Sequence, residues 1–412
     1  MWIKFGVLLT IFGFIHQIKC EDISYSDIYL PAGTNGFVCQ LNFYPIEHVR
    51  EAVERAFRSF FFEKLYRKFP KLFEDTQLFD VKPDILLSWP ILFREIFYDN
   101  RNVGKVRLVF NTRGQIMGLV MIKPKETGQK ISFERCNPVR KSLEEDNAEK
   151  SSLNQWWNLV HPAFGYKCGL KFFPESSVNK LKEPDWIASF PKRRSRSKKA
   201  IDKKYTGDEF SGDDLYWYPV HHKLSRDPAS GSPGVFRAVF DMSNHEFKGI
   251  INTINRNEKC VTVWDLSSIR SENIYTPSSV LNLERIKDSY WPETCFGHRI
   301  LSKTIWLYLE FALKDWESAF YGRIPNFPII KKKVIRLWPI RTPENHDNSF
   351  KNMFAIGYHT ELDSYSLYHS KIKNNLFSGF SPCFEFSLST IRNLRKHLAE
   401  PHGHGESSFL VY

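Results

Sequence analysis

The sequence lacks the motifs and segments that identify several common classes of protein. It contains no G-x-S-x-G nucleophile elbow, no phosphate-binding loop of the G-x-x-x-x-G-K-[ST] type and no H-E-x-x-H metal-binding helix. Beyond its N-terminus it has no run of about eighteen consecutive apolar residues, so no membrane anchor is expected. It also has no Asn-x-Ser/Thr acceptor for N-glycosylation. No residue pattern points to a metal ion or an organic cofactor, and neither is predicted.

The composition is that of a globular protein with several domains. Of the 412 residues, 42% are hydrophobic and 15% aromatic, which excludes a disordered chain and leaves room for two to four domains. The 58 Lys and Arg residues exceed the 46 Asp and Glu residues, and the formal net charge is +12. A positive charge of this size favours an anionic partner.

The N-terminus has the features of a secretory signal peptide. Lys4 precedes an apolar run from Phe5 to Ile15, which is too short for a membrane span. Cleavage after Cys20 would leave six cysteines in an oxidising compartment, where disulfides persist. The sequence therefore predicts secretion.

The cysteine spacing reveals an internal repeat. Three pairs have similar separations of 97, 92 and 88 residues: Cys39 with Cys136, Cys168 with Cys260, and Cys295 with Cys383. A β-branched residue follows the first cysteine of each pair by ten positions, and an aromatic residue precedes a proline later in each unit: Val49, Val178 and Ile305, then Trp89-Pro90, Tyr218-Pro219 and Trp338-Pro339. Pairing the first cysteine with the last in each unit would close loops of roughly 90 residues, each worth about 4.5 kcal/mol in the chain-entropy model.

The repeat divides the chain into seven segments. They are a signal peptide at 1–20, unit 1 at 21–140, a linker at 141–162, unit 2 at 163–265, a linker at 266–290, unit 3 at 291–386, and a C-terminal helix and tail at 387–412. We expect the chain to be a monomer.

Each unit has the pattern of one helix followed by strands. In unit 1, apolar residues recur every three or four positions from Ile46 to Phe61, which predicts an amphipathic helix. Unit 3 repeats this pattern from Ile305, and Pro184 should shorten the helix of unit 2. Short β-rich segments follow, such as Val106–Phe110 and Gln115–Ile122. The fold class predicted is α+β, with the helix packed on a twisted antiparallel sheet.

Unit 2 carries a basic segment between Lys192 and Lys204. Its sequence, KRRSRSKKAIDKK, has eight basic residues and one acidic residue. A segment of this kind is typical of an exposed loop, and nucleic-acid contact, nuclear import and dibasic processing are the functional alternatives.

Four blocks of unit 1 resemble the small secreted guanyl-specific ribonucleases of filamentous fungi. The order and the spacing both match in Trp89-Pro90-Ile91, Val106–Asn111, Gly114–Val120 and Phe133–Cys136. With the signal peptide and one cysteine pair per unit, the chain is similar to the ribonuclease-like secreted effectors of powdery mildew fungi. Unit 2 keeps the pattern in Arg237–Asp241, whereas unit 3 keeps little beyond the cysteines, the helix and Trp338-Pro339-Ile340. The resemblance implies three tandem units of the microbial ribonuclease fold, and it leaves delivery into host cells open.

The resemblance also implies where a catalytic site would lie, and there the sequence departs from the family. The family's general base is a glutamate before Trp-Pro, and the matching positions hold Ser88, Trp217 and Leu337. The family's general acid is a histidine, and the matching positions hold Ile122, Thr253 and Tyr368; His369 is one residue away, and such a shift turns a strand side chain to the other face. We therefore predict a pseudo-ribonuclease with no catalytic residues.

The family's phosphate-binding arginine is retained in two units. It corresponds to Arg107 and Arg237, with Met353 in its place in unit 3, and an arginine holds phosphate without an acid-base partner. A structural ion pair for Arg107 is the alternative. The predicted RNA-binding residues are Arg107, Arg237, Lys71, Lys192, Arg193 and Arg194.

Two functions of different classes follow from these residues. The leading hypothesis is a secreted effector-type protein that binds host RNA or a host protein without catalysis. The alternative is an active secreted endoribonuclease, cleaving through a cyclic phosphate at a rebuilt site that uses His369, or His359 with Glu361.

Overall fold

The structure is a computed structural model of the whole chain. It describes residues 25–61, 68–81, 84–94, 96–99, 102–123, 131–141, 163–183, 187, 203–220, 235–254, 258–269, 290–314, 335–341, 352–359, 362–373, 376–377 and 381–399. The predicted signal peptide 1–20, most of both linkers, the basic residues 192–202 and the tail beyond residue 399 lie outside the described residues.

Helix α1 has the amphipathic character that its sequence predicts. It spans Ile46–Phe61, and Val49, Val53 and Phe60 are buried on its inner face. Its outer face carries the ion pairs Glu51–Arg55 and Glu54–Arg58, which have the i,i+4 spacing that stabilises a helical turn.

Three further helices lie near their predicted positions. Helix α2 spans only Glu175–Lys182, as the proline two residues later requires, and helix α3 spans Ser302–Lys314. Helix α4 spans Leu388–Ala399 and confirms the predicted C-terminal helix. Helices α1, α2 and α3 each begin seven residues after the first cysteine of their unit, namely Cys39, Cys168 and Cys295.

The strands follow the same order in units 1 and 2. Unit 1 contains β1 Gly36–Cys39, β2 Asn42–Pro45, β3 Lys71–Phe73, β4 Leu86–Ile91, β5 Val106–Asn111, β6 Ile116–Ile122, β7 Phe133–Arg135 and β8 Asn137–Lys141. Unit 2 contains β9 Gly165–Cys168, β10 Lys171–Pro174, β11 Lys203–Lys204, β12 Leu215–Val220, β13 Phe236–Asp241, β14 Glu246–Asn252, β15 Glu258–Lys259 and β16 Val261–Asp265. Unit 3 contains β17 Ile335–Ile340, β18 Asn352–His359, β19 Ser364–Lys373, β20 Leu376–Phe377 and β21 Ser381–Glu385.

Each unit contributes one five-stranded antiparallel sheet to the described part of the chain. The sheet orders are β3-β4-β5-β6-β7, β11-β12-β13-β14-β15 and β17-β18-β19-β20, with β21 also paired to β19. The registers of units 1 and 2 agree in detail, because a bulge follows Val109↔Gly118 in the first sheet and Val239↔Gly249 in the second. The predicted α+β class with antiparallel sheets is confirmed.

Units 1 and 2 share a closed six-stranded barrel, which the sequence did not predict. Its strand order is β1-β2-β10-β9-β16-β8, so each unit supplies a hairpin and a final strand. Two reciprocal hydrogen bonds join the hairpins: Phe43 N–H donates to Leu170 C=O (2.9 Å), and Phe172 N–H donates to Leu41 C=O (3.0 Å). The barrel interior is apolar and consists of Val38, Phe43, Val139, Phe172 and Val263, with Phe164 packed against them.

Unit 3 packs against unit 1 through a shared hydrophobic core. One cluster of buried residues includes Phe60 of helix α1 together with Trp306 and Leu307 of helix α3. Arg341 of unit 3 is buried at this contact, where its guanidinium donates to Ser59 C=O (3.4 Å) and lies over the Phe60 ring. Burial lowers the pKa of Arg341 to about 10.

The three predicted disulfides are confirmed. Their Cα–Cα distances are 4.7, 4.5 and 5.2 Å for the pairs Cys39–Cys136, Cys168–Cys260 and Cys295–Cys383. In units 1 and 2 each bridge ties the first hairpin strand to the residue before the final barrel strand.

The prediction of an exposed loop over 192–204 is wrong at its C-terminal end. Lys203 and Lys204 form β11 and pair with Tyr216 and Trp217 of β12, so the end of the basic segment belongs to the sheet of unit 2. Among the described residues, no helix is long and apolar enough to cross a membrane.

The barrel generates a prediction about a glycine. A Cβ at Gly36 would lie 2.6 Å from Cζ of Phe43 and would overlap the Tyr44 carbonyl oxygen. We expect Gly36→Ala to lower the free energy of unfolding by about 2 kcal/mol or more, since overpacking typically costs about 1–3 kcal/mol. Chemical denaturation followed by fluorescence measures the change.

Gly169→Asn is the matched control for this substitution. Gly169 has a φ of +59° and no atom within 4 Å of an added Cβ, and asparagine tolerates this left-handed conformation. Equal stability of the two variants would contradict the close approach at Gly36.

Candidate functional site

One face of each sheet packs against the helix of its unit, and the opposite face is called the outer face here. The ribonuclease resemblance places a site on the outer face. In unit 1, Leu108 and Phe110 pack towards helix α1, whereas Val109 and Val120 belong to a separate cluster on the other side. Side chains alternate along a strand, so Ser88 and Arg107 lie on the outer face.

The positions that match the family's general base hold no carboxylate. Ser88 is fully buried, and its hydroxyl donates to the Lys71 carbonyl (3.3 Å). Trp217 is half-buried, and Leu337 is buried. None of these side chains takes up a proton at neutral pH.

The positions that match the general acid also lack one. Ile122 is half-buried, and the Thr253 hydroxyl donates to the Val235 carbonyl (2.8 Å). Ile122 and Thr253 each lie four residues after the bulge glycine of their strand, Gly118 or Gly249. In unit 3 the register puts Ser366, which pairs with Gly357, in the place of that glycine. The residue four positions after Ser366 is Ser370 and not Tyr368. Ser370 is buried and, like Tyr368, is not an acid near neutral pH.

His369 lies on the helix face of the third sheet. Its ring contacts Phe354, which belongs to the core beneath helix α3, at a centroid distance of 5.2 Å. It also contacts Phe296 (4.9 Å) and His298 (5.8 Å) and is 3% exposed. The one-residue shift therefore has the effect expected for a strand, because His369 and Tyr368 lie on opposite faces.

Arg107 is buried on the outer face of unit 1. It is 3% exposed, and its Nη1 donates to the carbonyls of Val103, Gly104 and Val106 at 2.9, 3.1 and 3.0 Å. Its guanidinium lies over the Phe69 ring, 5.3 Å from the centroid. These contacts hold the loop before β5 against the sheet.

Arg237 makes the equivalent contact in unit 2. Its Nη1 donates to the carbonyl of Phe236 (2.9 Å), just as Arg107 donates to Val106, and its guanidinium lies over the Trp217 ring at 5.6 Å. Arg237 is 8% exposed, and burial lowers the pKa of its guanidinium. In both units the arginine donates to the carbonyl of the residue that precedes it.

The register of unit 3 changes the residue assigned to the arginine position. Pro90 pairs with Arg107 and Pro219 pairs with Arg237, whereas Pro339 pairs with Ala355. Ala355 and not Met353 therefore occupies this position. The number of residues between the proline and its partner differs among the units, and the sequence pattern does not show this difference.

The residue of unit 2 that corresponds to Lys71 is Lys203 and not Lys192. Lys71 is buried and pairs with Ser88, and its ammonium lies 5.8 Å from the centre of the Phe69 ring. The corresponding pairing in unit 2 joins Lys203 to Trp217. Lys192, Arg193 and Arg194 lie outside the described residues, and their role in RNA binding stays a prediction.

An aromatic ring lies against the outer face of each of the three sheets. An added Cβ at Gly118 would lie 2.9 Å from Phe79, and one at Gly249 would lie 2.8 Å from Phe210. These glycines have φ values of +149° and +151°, which side chains rarely adopt. In unit 3 the ring of Tyr368 lies against Gly357.

The covering rings form the same edge-to-face pair in units 1 and 2. Phe73 and Phe79 have a centroid distance of 6.1 Å and an interplanar angle of 61°, and Tyr205 and Phe210 have values of 6.1 Å and 60°. The sequence pattern gave these rings no role. A signal was present in units 1 and 2, because Phe79 and Phe210 each follow the end of the edge strand, β3 or β11, by six positions.

The sequence matches no family model and no curated protein. The ribonuclease resemblance therefore rests on the motifs in this sequence and not on a match to a known protein. Within the described part of the chain, no group of three or more His, Cys, Asp or Glu side chains is arranged to hold a metal ion.

Arg107 offers a direct test of a structural role against a binding role. We expect Arg107→Met to lower the free energy of unfolding by about 2 kcal/mol, because three carbonyls lose a charged donor. The exposed Arg113 is the control, and Arg113→Met should change stability by less than about 0.5 kcal/mol. Weaker RNA retention at unchanged stability would instead support Arg107 as a phosphate ligand.

Proposed function

We propose that this protein is a secreted, effector-type binding protein built from ribonuclease-like units that have lost catalysis. The observation that carries the proposal is the outer face of the first two sheets, where Phe79 and Phe210 occupy the space above Gly118 and Gly249 of the central strands. A ribonuclease of this kind needs that face open to its substrate.

The residues at the catalytic positions support the same conclusion. A general acid or base typically contributes 10²- to 10⁴-fold to a rate. Ser88, Trp217 and Leu337 cannot act as the base, and Ile122 and Thr253 cannot act as the acid. Loss of both groups in every unit leaves binding as the function that the fold can still perform.

RNA is the partner that we propose, and a host protein is the other outcome of the test. The net charge of +12 and the eight basic residues between 192 and 204 favour a polyanion. Arg107 and Arg237 are buried, so the contacts to phosphate would come from exposed cations elsewhere on the molecule.

Retention and cleavage of labelled RNA, measured in the same samples, test this proposal. The disulfide-intact protein is incubated with single-stranded RNA over a salt series. We expect retention that weakens steeply with salt, because phosphate contacts release counterions, and we expect no cleavage. Cleavage would favour the endoribonuclease alternative, and neither retention nor cleavage would favour a host protein as partner.

Two double variants with the same change in charge locate the contacts. Arg193→Gln/Arg194→Gln should weaken RNA retention and reduce the salt slope by about 1.4, at about 0.7 per phosphate contact on a single strand. Arg55→Gln/Arg58→Gln removes two exposed arginines of helix α1 and should leave retention within about twofold. Equal effects of the two variants would mean that RNA responds only to net charge.

A further inference from the structure

Two cations from different units lie close together on the outside of the shared barrel. Lys171 begins β10 of unit 2, and its Nζ lies 4.8 Å from the centre of the Phe93 ring of unit 1. Arg94 follows Phe93 in the loop after β4 and is exposed. Phe172, the next residue of β10, faces the barrel interior, so Lys171 faces outwards. The boundary between the two units thus carries a lysine, an arginine and an aromatic ring.

The loop after β4 is fixed to the rest of unit 1. His48 of helix α1 donates from Nε2 to the Leu92 carbonyl (3.3 Å). The Phe93 ring packs edge-on against the ring of Tyr44 of β2, with a centroid distance of 6.1 Å. His48 and Tyr44 are both buried. The ring beneath the lysine therefore has a defined position.

No carboxylate balances these two charges in the part of the chain that the structure describes. Burial lowers the pKa of Lys171, and the positive charge of Arg94 lowers it further, so the two cations lie close enough to repel each other. Arg55 differs, because its guanidinium also lies over a ring of this loop, that of Phe97, but it pairs with Glu51. Two like charges held together without a counterion favour an anion between them.

The repeats show that the fold does not require a cation at the position of Lys171. This residue lies three positions after the first cysteine of its unit, and the equivalent residues of units 1 and 3 are Asn42 and His298. Asn42 pairs with Lys171 where the two hairpins meet. The same hairpin therefore forms with a neutral amide at this position in unit 1.

The loop also has two features that its own folding does not explain. Arg94 has a φ of +66°, in the left-handed region that favours glycine and asparagine. Residues held in this unfavourable region are concentrated at binding sites. Ile96, two residues later, is 55% exposed and adds an apolar side chain to the same loop.

We infer that the boundary surface, formed by Phe93, Arg94 and Lys171, is a phosphate contact for single-stranded RNA. The inference rests on the proposed function and gives the RNA a defined position between units 1 and 2. A phosphodiester between the two cations would relieve their repulsion. A neighbouring base would pack on Ile96 and the exposed part of the Phe93 ring, since surfaces that bind single strands combine cations with aromatic rings. The carboxylates of a host protein are the alternative occupant.

The double variant Arg94→Asn/Lys171→Asn tests the inference. Asparagine tolerates the left-handed backbone at position 94, and it is the residue that unit 1 has in place of Lys171. Retention of a labelled twelve-nucleotide single-stranded RNA is measured over a salt series. We expect retention about fivefold weaker at low salt, and a salt slope lower by about 0.7, the value for one phosphate contact on a single strand.

Arg113→Asn/Lys123→Asn is the matched control. It also removes one arginine and one lysine, and both of these residues are exposed in unit 1, before and after β6. We expect this variant to retain RNA within about twofold of the wild type. Circular dichroism and thermal unfolding check that both double variants keep the fold. If the first does not fold, Arg94→Asn alone replaces it, with an expected loss of about twofold.

Acetylation of the wild-type protein is a second measurement that needs no substitution. The same RNA should slow the modification of Lys171 about threefold or more, because a bound phosphate shields its ammonium group. The modification of the exposed Lys123 should not change. Mass spectrometry of proteolytic fragments measures both rates.

The outcomes separate this inference from the proposed function. Wild-type retention that is unchanged in the Arg94→Asn/Lys171→Asn variant, without protection of Lys171, would overturn the inference and leave the RNA proposal intact. Equal weakening in both double variants would also overturn it, because RNA would then respond only to net charge. No retention of RNA by the wild type would overturn both. Binding of a polyglutamate peptide in place of RNA, lost in the Arg94→Asn/Lys171→Asn variant, would assign the surface to carboxylates instead.

Discussion

Backbone hydrogen bonding across the shared barrel is the constraint on which the arrangement of units 1 and 2 depends. Each unit alone has a hairpin and a final strand whose outer edges would carry unpaired N–H and C=O groups. The edges of one unit pair with those of the other, through β2 with β10 and β8 with β16. The side chain of Asn137 adds a hydrogen bond to Asp265 across the same boundary (2.7 Å). The two units therefore form one structure.

The repeats keep a backbone plan while their side chains serve different purposes. Gly118 and Gly249 hold the same unusual conformation beneath an aromatic ring, and Arg107 and Arg237 bond to the carbonyl of the preceding residue. Units 1 and 2 share these features, whereas unit 3 has Ala355 at the arginine position. By contrast, the residue before this glycine is Met117 in unit 1 and Lys248 in unit 2, so the plan does not fix the side chain at that position.

Three arginines are buried in the structure and not exposed on its surface. Arg107, Arg237 and Arg341 are all buried, and their described hydrogen bonds go to backbone carbonyls. A guanidinium has five donors and stacks on aromatic rings, so it satisfies several carbonyls while its plane packs against Phe69 or Trp217. These three arginines therefore contribute to the packing of the sheets and of the contact between units 1 and 3.

Local patterns in the sequence by themselves determined the helix positions, the disulfide pairs and the antiparallel sheets. Pro184 limits helix α2 because a proline cannot continue a helix, and the apolar period of α1 is a property of neighbouring residues. Only the tertiary structure decided the strand registers, the barrel and the burial of Arg107. Ala355 replaces Met353 opposite Pro339, and Asn137 meets Asp265, because strand partners are selected by contacts between segments far apart in the chain. Periodicity and spacing carry no information about such contacts, and the accessibility of a side chain such as Arg107 depends on those contacts.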